Sequence, residues 1–287
     1  DVVIALTSSD TGEATISGSL TFTPANWDTP QTVTVTGVDD LTVDGAQTES
    51  ITVTIIDEIS DNDFDAVADQ TVSVDITDDD VAGFTVDQLD GSVEVDESGT
   101  TDTFTVVLDA QPTSDVVLTV TSSDTGEATV NGPLTFTPAN WDTPQTVTVT
   151  GADDGSVVDG DQTSLITISI DDANSNDSFD AVTDQTVSVG TTDDDVAGFT
   201  IAETNGSTEV DESGTTDIFT VVLDAQPTSD VLLSLSINDN SEAAISSSLT
   251  FTPINWDSPQ TVTVTGLDEE TVCLLYTSDA ADDGLCV

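Results

Sequence analysis

Apolar and polar residues alternate without a break over residues 146–150, with Val147 and Val149 on one side and Thr146, Thr148 and Thr150 on the other. A period of two predicts a β-strand with one face turned inward. That strand closes a motif at 134–151, LTFTPANWDTPQTVTVTG, which returns unchanged at 20–37 and with two substitutions at 249–266. The tryptophans of the three copies, Trp27, Trp141 and Trp256, fall 114 and then 115 residues apart. This spacing is too long for a solenoid unit and suits a small sandwich domain. Pro144 fixes φ in the corner before the strand, and Trp141 offers a large apolar surface to plug the end of a core.

The same alternation predicts strands at 83–86 with 92–95, then at 104–108, 116–121, 134–137, 146–150, 165–170 and 186–189. No segment has helical periodicity, and Gly, Pro, Asn and Asp fill the gaps. Seven short strands in one repeat point to an all-β chain of tandem immunoglobulin-like antiparallel β-sandwiches. The complete repeat is 82–196. Residues 1–81 match the later part of that unit, since TSSDTGEAT at 7–15 recurs at 121–129, so this copy lacks the opening strands. Residues 197–272 form a third copy that lacks the last strands. Over 95–116 the second and third copies differ at one position, Thr103 against Ile218. The chain opens inside a repeat, which reads as an internal piece of a longer array. Residues 273–287 hold both cysteines and the single tyrosine, and the run from Cys273 to Asp282 resembles translated sequencing-adapter DNA rather than a continuation of the repeat.

Charge adds a constraint that patterning does not show. The chain carries 57 acidic residues and no Lys, Arg or His, for a formal charge of −57. Repulsion at this density opposes compaction unless salt or bound cations offset it. Nucleic acid and anionic membranes are excluded as partners, no apolar run of transmembrane length is present, and divalent cations are favoured. With 36% apolar residues in patterned runs, the sequence has cores to bury and is not a disordered acidic tail. The repeats use no thiol chemistry.

If successive strands alternate direction, every second loop gathers at one pole of the sandwich. In the complete repeat that pole carries Asp96 and Glu97, Asp124 and Glu127, Asp153, Asp154, Asp159 and Asp161, and the terminal run Asp193, Asp194 and Asp195. The first copy offers Asp39, Asp40 and Asp44 with Asp78, Asp79 and Asp80, and the third offers Glu212 and Asp268. Calcium suits such a set, because it takes six to eight oxygens in irregular loops, whereas magnesium demands a tighter octahedron and zinc favours His or Cys.

These residues resemble a known family. VDESGTTDTFTVVL, LTFTPANWDTPQTVTVTG, ADDGSVVDGDQTSLITISI and the closing TTDDD are similar to the Calx-beta domain of sodium/calcium exchangers and of repeats in large bacterial surface proteins. The resemblance implies that Glu97, Asp153, Asp154, Asp159 and Asp193 to Asp195 hold calcium. The family's Asp-Tyr pair is absent from the 123–127 loop, where Asp124 or Glu127 is a loose substitute. It implies a calcium-rigidified stalk or spacer in cell-surface adhesion, secreted, with calcium and the adjacent repeats as its partners and cell-surface or matrix ligands bound elsewhere in the full protein.

Three other readings stand beside it. The acids are a solvated face in a salt-adapted spacer, where charge maintains solubility. The repeats are ligand-binding adhesin modules using Trp141 or the threonine faces. Paired carboxylates such as Asp159 and Asp161 serve glycoside hydrolysis, which the recurrence of the acids in each copy and the lack of a cleft-forming insertion count against; the chain is read as no enzyme. DNDFDAVADQTV at 61–72 lacks the Gly and Glu of an EF-hand. Its counterpart at 171–180 lies at the opposite pole, which suggests that this loop shares an ion with the preceding repeat. The sequons at Asn176 and Asn205 matter only in a glycosylating host.

Overall fold

The computed structural model describes residues 1–89, 91–246 and 248–268. The 273–287 tail, with Cys273 and Cys286, lies outside the described residues. The chain is all-β and built of sandwich sheets. Contacts divide the described residues into two units, Asp1–Asp153 with Gln162–Thr192, and Asp154–Asp161 with the described residues that follow Thr192.

The first unit holds a closed sandwich. One sheet orders Ala128–Val130, Gln145–Gly151, Thr101–Leu108 and Phe84–Asp87. The other orders Leu134–Phe136, Val116–Ser122, Gln162–Ile170, Gln185–Thr192 and Val93–Asp96. Inward residues of the alternating strands meet between them: Phe104, Val106, Val147, Val149, Ile166 and Ile168 are all fully buried, and so is Phe179 from the short 3-10 turn Asp177–Phe179. Burying each such side chain contributes roughly 1.5–3 kcal/mol.

The first strand departs from the expectation. Its two halves join different sheets: Phe84–Asp87 pairs antiparallel with Thr101–Leu108, while Val93–Asp96 runs parallel to Gln185–Thr192. The intervening Gly91 has φ +81°, a conformation that suits glycine and lets the chain switch sheets. Ala128–Val130, Gln111–Pro112 and Val157–Val158 are too short for alternation to reveal.

In the first copy, Leu20–Phe22, Val2–Ser8, Gln47–Ile55 and Gln70–Ile76 form one sheet, and Ala14–Ile16 pairs with Val35–Gly37. The sequence QTVTVTG is a seven-residue strand at Gln145–Gly151 but a strand only over Val35–Gly37 in this copy. Gln145–Gly151 is held along its length by Thr101–Leu108, and the sheets of the first copy hold no counterpart of that strand. The tryptophans follow suit. Trp141 packs on the core as a plug, whereas Trp27 is 71% exposed and lines an open apolar cavity of about 500 Å³ with Phe22, Phe64 and Val67.

The second unit has a sheet of Phe199–Glu203, Thr216–Leu223, Gln260–Gly266 and Ala243–Ile245, and a pair of Val231–Leu233 with Leu249–Phe251. Val221, Leu223, Leu249, Phe251 and Val262 make its core, with Trp256 packed against them.

Candidate metal centre

In the first copy the acids converge on the 38–46 loop. Val38 N–H donates to the Glu13 carbonyl at 2.9 Å, which sets the loop beside the Glu13 side chain. The loop then turns back on itself: Thr42 N–H donates to Asp40 Oδ1 at 2.6 Å. Asp78, from the run after Gln70–Ile76, ties the far end. Its Oδ2 accepts from Gly45 N–H at 2.7 Å and from Asp44 N–H at 3.1 Å, and its Oδ1 accepts from Asp80 N–H at 2.8 Å. Gly45 has φ +78°, which a side chain rarely adopts. The resulting cavity, about 30 Å³, is lined by Glu13, Asp39, Asp40, Asp44, Asp78, Asp79 and Asp80 among others.

Crowding shows in the protonation equilibria. Partial burial, then the charges of Asp44, Asp40, Asp10 and Glu49, push the Glu13 carboxyl up from its ordinary value. Burial, then Asp78, Asp79, Asp40 and Asp39, push Asp80 up likewise. Asp78 moves the other way, because the Asp80, Gly45 and Asp44 amides stabilise its anion, against a smaller opposing effect of burial. Asp78 organises the loop, while Glu13 and Asp80 carry the repulsion.

In the next copy the same parts recur with deeper burial. Glu97 N–H donates to the Thr192 carbonyl at 3.2 Å, and Ala152 N–H donates to the Glu127 carbonyl at 2.8 Å. Gly151 permits the first of these loops to sit where it does, because a Cβ there would lie 1.9 Å from the Asp96 carbonyl oxygen. Hydrogen bonds from Ser98, foremost its hydroxyl, hold Asp96 below the usual carboxylate range and fix the turn. Glu97 is 2% exposed and Glu127 8%. Glu97 and Glu127 belong to the first unit, and Asp154, Asp159, Asp193 and Asp195 to the second. Asp193 repeats the role of Asp78, accepting from Gly160 N–H at 2.8 Å and from Asp195 N–H at 2.8 Å.

The structure thus gathers Asp39, Asp40, Asp44, Asp78, Asp79 and Asp80 around one cavity of the first copy, and in the second unit ties Asp193 to Gly160 and Asp195. Asp153, Asp161 and Asp194 are exposed, and Asp161 Oδ1 accepts from Asp193 N–H at 3.3 Å. In the third copy Glu212 and Asp268 are exposed; the turn before Glu212 is rebuilt by Asp211 and Ser213, and Gly266 again approaches the Asp211 carbonyl, 2.0 Å from a Cβ. Glu127 and Glu13 are the residues that sequence reasoning undervalued. Their signal is an acid directly before an alanine, Ala128 or Ala14, that is fully buried. Asp124 spends its side chain on a turn, accepting from Gly126 N–H at 2.9 Å. The donors are oxygens throughout, and no side chain in the sequence is basic. This set fits a hard divalent cation of calcium type.

No protein-family model matches the sequence, and no curated protein matches it. Among solved structures, domains 4–9 of the surface layer protein SbsC are similar at 17% identity and a TM-score of 0.31, covering 93% of this chain and 35% of that one. The CBD12 region of CALX1.2 is similar at 18% identity and a TM-score of 0.29, covering 66% and 77%. The calcium binding domain CBD12 of CALX1.1 is similar at 18% identity and a TM-score of 0.29, covering 64% and 76%. The chain spans about a third of the SbsC structure it matches.

Proposed function

We infer that this chain is a segment of Calx-beta-like calcium-binding repeats, at 1–81, 82–196 and 197–272, acting as a non-enzymatic stalk or spacer outside the cell. The observation that carries the reading is the cavity of the first copy, which seven acidic residues line in a chain without a basic side chain. A cation there offsets the neighbouring charges that, after burial, raise Glu13 and Asp80. Glu13, Asp40, Asp44 and Asp80 in the first copy would hold it, and Asp154, Asp159, Asp193 and Asp195 offer the same oxygen chemistry in the second unit. Bound calcium supplies positive charge and oxygen coordination; the loops supply position. Junctions stiffened in this way extend a tandem array.

Titration calorimetry of the whole chain tests the reading. Calcium is expected to bind with a Kd on the order of 0.1 mM, within the weak extracellular range, and magnesium much more weakly. Asp44→Asn is expected to remove the first-copy site. Equal weak heats from calcium and magnesium would favour the salt-adapted spacer, for which the exposure of Asp39, Asp79, Asp153 and Asp194 speaks. The apolar cavity beside Trp27 gives no support to a ligand-binding module, because the equivalent Phe136 and Phe179 are fully buried in the closed sandwich.

A further inference from the structure

The 38–46 loop has a second attachment besides its acids. Thr42–Val43 forms a parallel bridge with Gln111–Pro112, the connection that follows Thr101–Leu108. Gln111 N–H donates to the Leu41 carbonyl at 2.7 Å, and Thr42 Oγ1 donates to Gln111 Oε1 at 3.2 Å. Gln111 is itself pinned, its Nε2 donating to the Pro138 carbonyl at 2.7 Å. Between these bonds Val43 is 9% exposed and belongs to the buried cluster of Phe84, Leu108 and Ala110. That cluster is the core of the sandwich that follows in the chain. Ile51, buried in the sheet from which the loop springs, is outside it.

The second unit repeats the device. Val157–Val158 pairs in parallel with Gln226–Pro227, Gln226 N–H donates to the Ser156 carbonyl at 2.5 Å, and Gln226 Nε2 donates to the Pro253 carbonyl at 3.1 Å. Val158 lines an apolar cavity with Phe199, Leu223 and Ala225. The two loops differ in length by one residue, Gly155, and in the identity of the residues before the bridge. The valine and the glutamine that receives it are nonetheless in register. Two loops of unequal length that reach the same pairing argue for a built contact.

We propose that the valine of the acidic loop, Val43, with Val158 at the equivalent bridge, is a plug aimed at the core of the succeeding repeat, buried there in the case of Val43, so that whatever fixes the loop of one repeat stabilises the next. The carboxylates already hold the plug's backbone on both sides. Asp40 binds the Thr42 amide before it, and Asp78 binds the Asp44 amide after it. A cation that draws these acids together restricts the same backbone, and by linkage the docked valine favours the cation in return. This last step rests on the calcium reading above; the plug itself does not.

Hydrogen exchange of the whole chain, read by mass spectrometry with chelator and with millimolar calcium, separates the two. Val43→Thr keeps the side-chain volume and adds a hydroxyl to the core; Val43→Ala shortens it. In chelator both variants are expected to speed exchange over residues 104–112 by about tenfold, with peptides from Gln47–Ile55 unchanged, which shows that the first copy remains folded. In the unaltered chain calcium is expected to slow exchange over 104–112, and Asp44→Asn to abolish that slowing. Unchanged exchange over 104–112 in both Val43 variants overturns the plug. A calcium effect absent everywhere, with the Val43 variants still exposing 104–112, supports the plug and overturns the calcium reading alone.

Discussion

Asp78 Oδ2 accepts the N–H of Gly45 at 2.7 Å. Asp193 Oδ2 accepts the N–H of Gly160 at 2.8 Å in the same way. In both, a carboxylate from the run that ends a repeat clamps a loop glycine of positive φ, +78° at Gly45 and +79° at Gly160. The first acid of each terminal run therefore shapes the acidic loop, and the charge it brings is partly spent on backbone amides.

Asp78→Asn is expected to loosen the loop and lower calcium affinity by at least about tenfold, since charge-assisted bonds become neutral ones. Asp78 titrates below its ordinary 3.8 in the fold. A depressed acid contributes stability above its unfolded value and loses it as pH falls through the folded one. Below pH 3.8 the variant and the parent chain are thus expected to converge in thermal midpoint, which an acid series of melts reads directly.

Glu13→Gln carries the opposite sign. Glu13 is raised above 4.5 in the fold, so its penalty is absent below that value and appears as pH rises through it. Without calcium at neutral pH, Glu13→Gln is expected to raise the midpoint, and Asp80→Asn to do the same. In calcium both are expected to lose part of the parent's gain. Melts at pH 4 and pH 7, each with and without chelator, give the four values needed.

Glu127→Gln probes the buried counterpart. Glu127 is 8% exposed in a chain of 57 acidic residues and no Lys, Arg or His, so neutralising it removes one negative charge from a large surplus. The variant is expected to be more stable than the parent in chelator and less stable in calcium. The crossing of the two melting orders is the result to look for.

Gly151→Ala puts a Cβ 1.9 Å from a backbone oxygen of the Glu97 loop, whereas the identical glycine of the first motif, Gly37, meets nothing within 4 Å. Gly151→Ala is expected to destabilise by roughly 1–3 kcal/mol, as overpacking does. Gly37→Ala is expected to be near neutral. Equal effects at the two positions would contradict the close approach.

The repeat and its strands were legible because Val147, Val149 and the threonines between them alternate over a full strand. The sheet switch between Asp87 and Val93 was not, because direction and partner are not written in a period of two. QTVTVTG makes the limit plain, since the same seven residues form a strand of seven or of three according to their neighbour. At the site, Asp154, Asp159, Asp193 and Asp195 were readable as acids of pole loops, and Glu127 was undervalued because its place depends on a backbone bond to Ala152. The bridge of Val43 to Gln111–Pro112 had no local signature, as two residues carry no pattern.

An acid pole that is a calcium site, and not a solvated face, gains stability from calcium beyond the effect of ionic strength. This is tested most directly by thermal unfolding of the whole chain in chelator, in millimolar calcium, and in magnesium and sodium at matched ionic strength. A site filled at a hundredfold excess over its Kd adds about 2.7 kcal/mol. A rise in midpoint specific to calcium, reduced by Asp44→Asn and by Glu127→Gln, is the result expected. Equal stabilisation by calcium, magnesium and sodium would contradict the claim and leave charge screening as the whole effect.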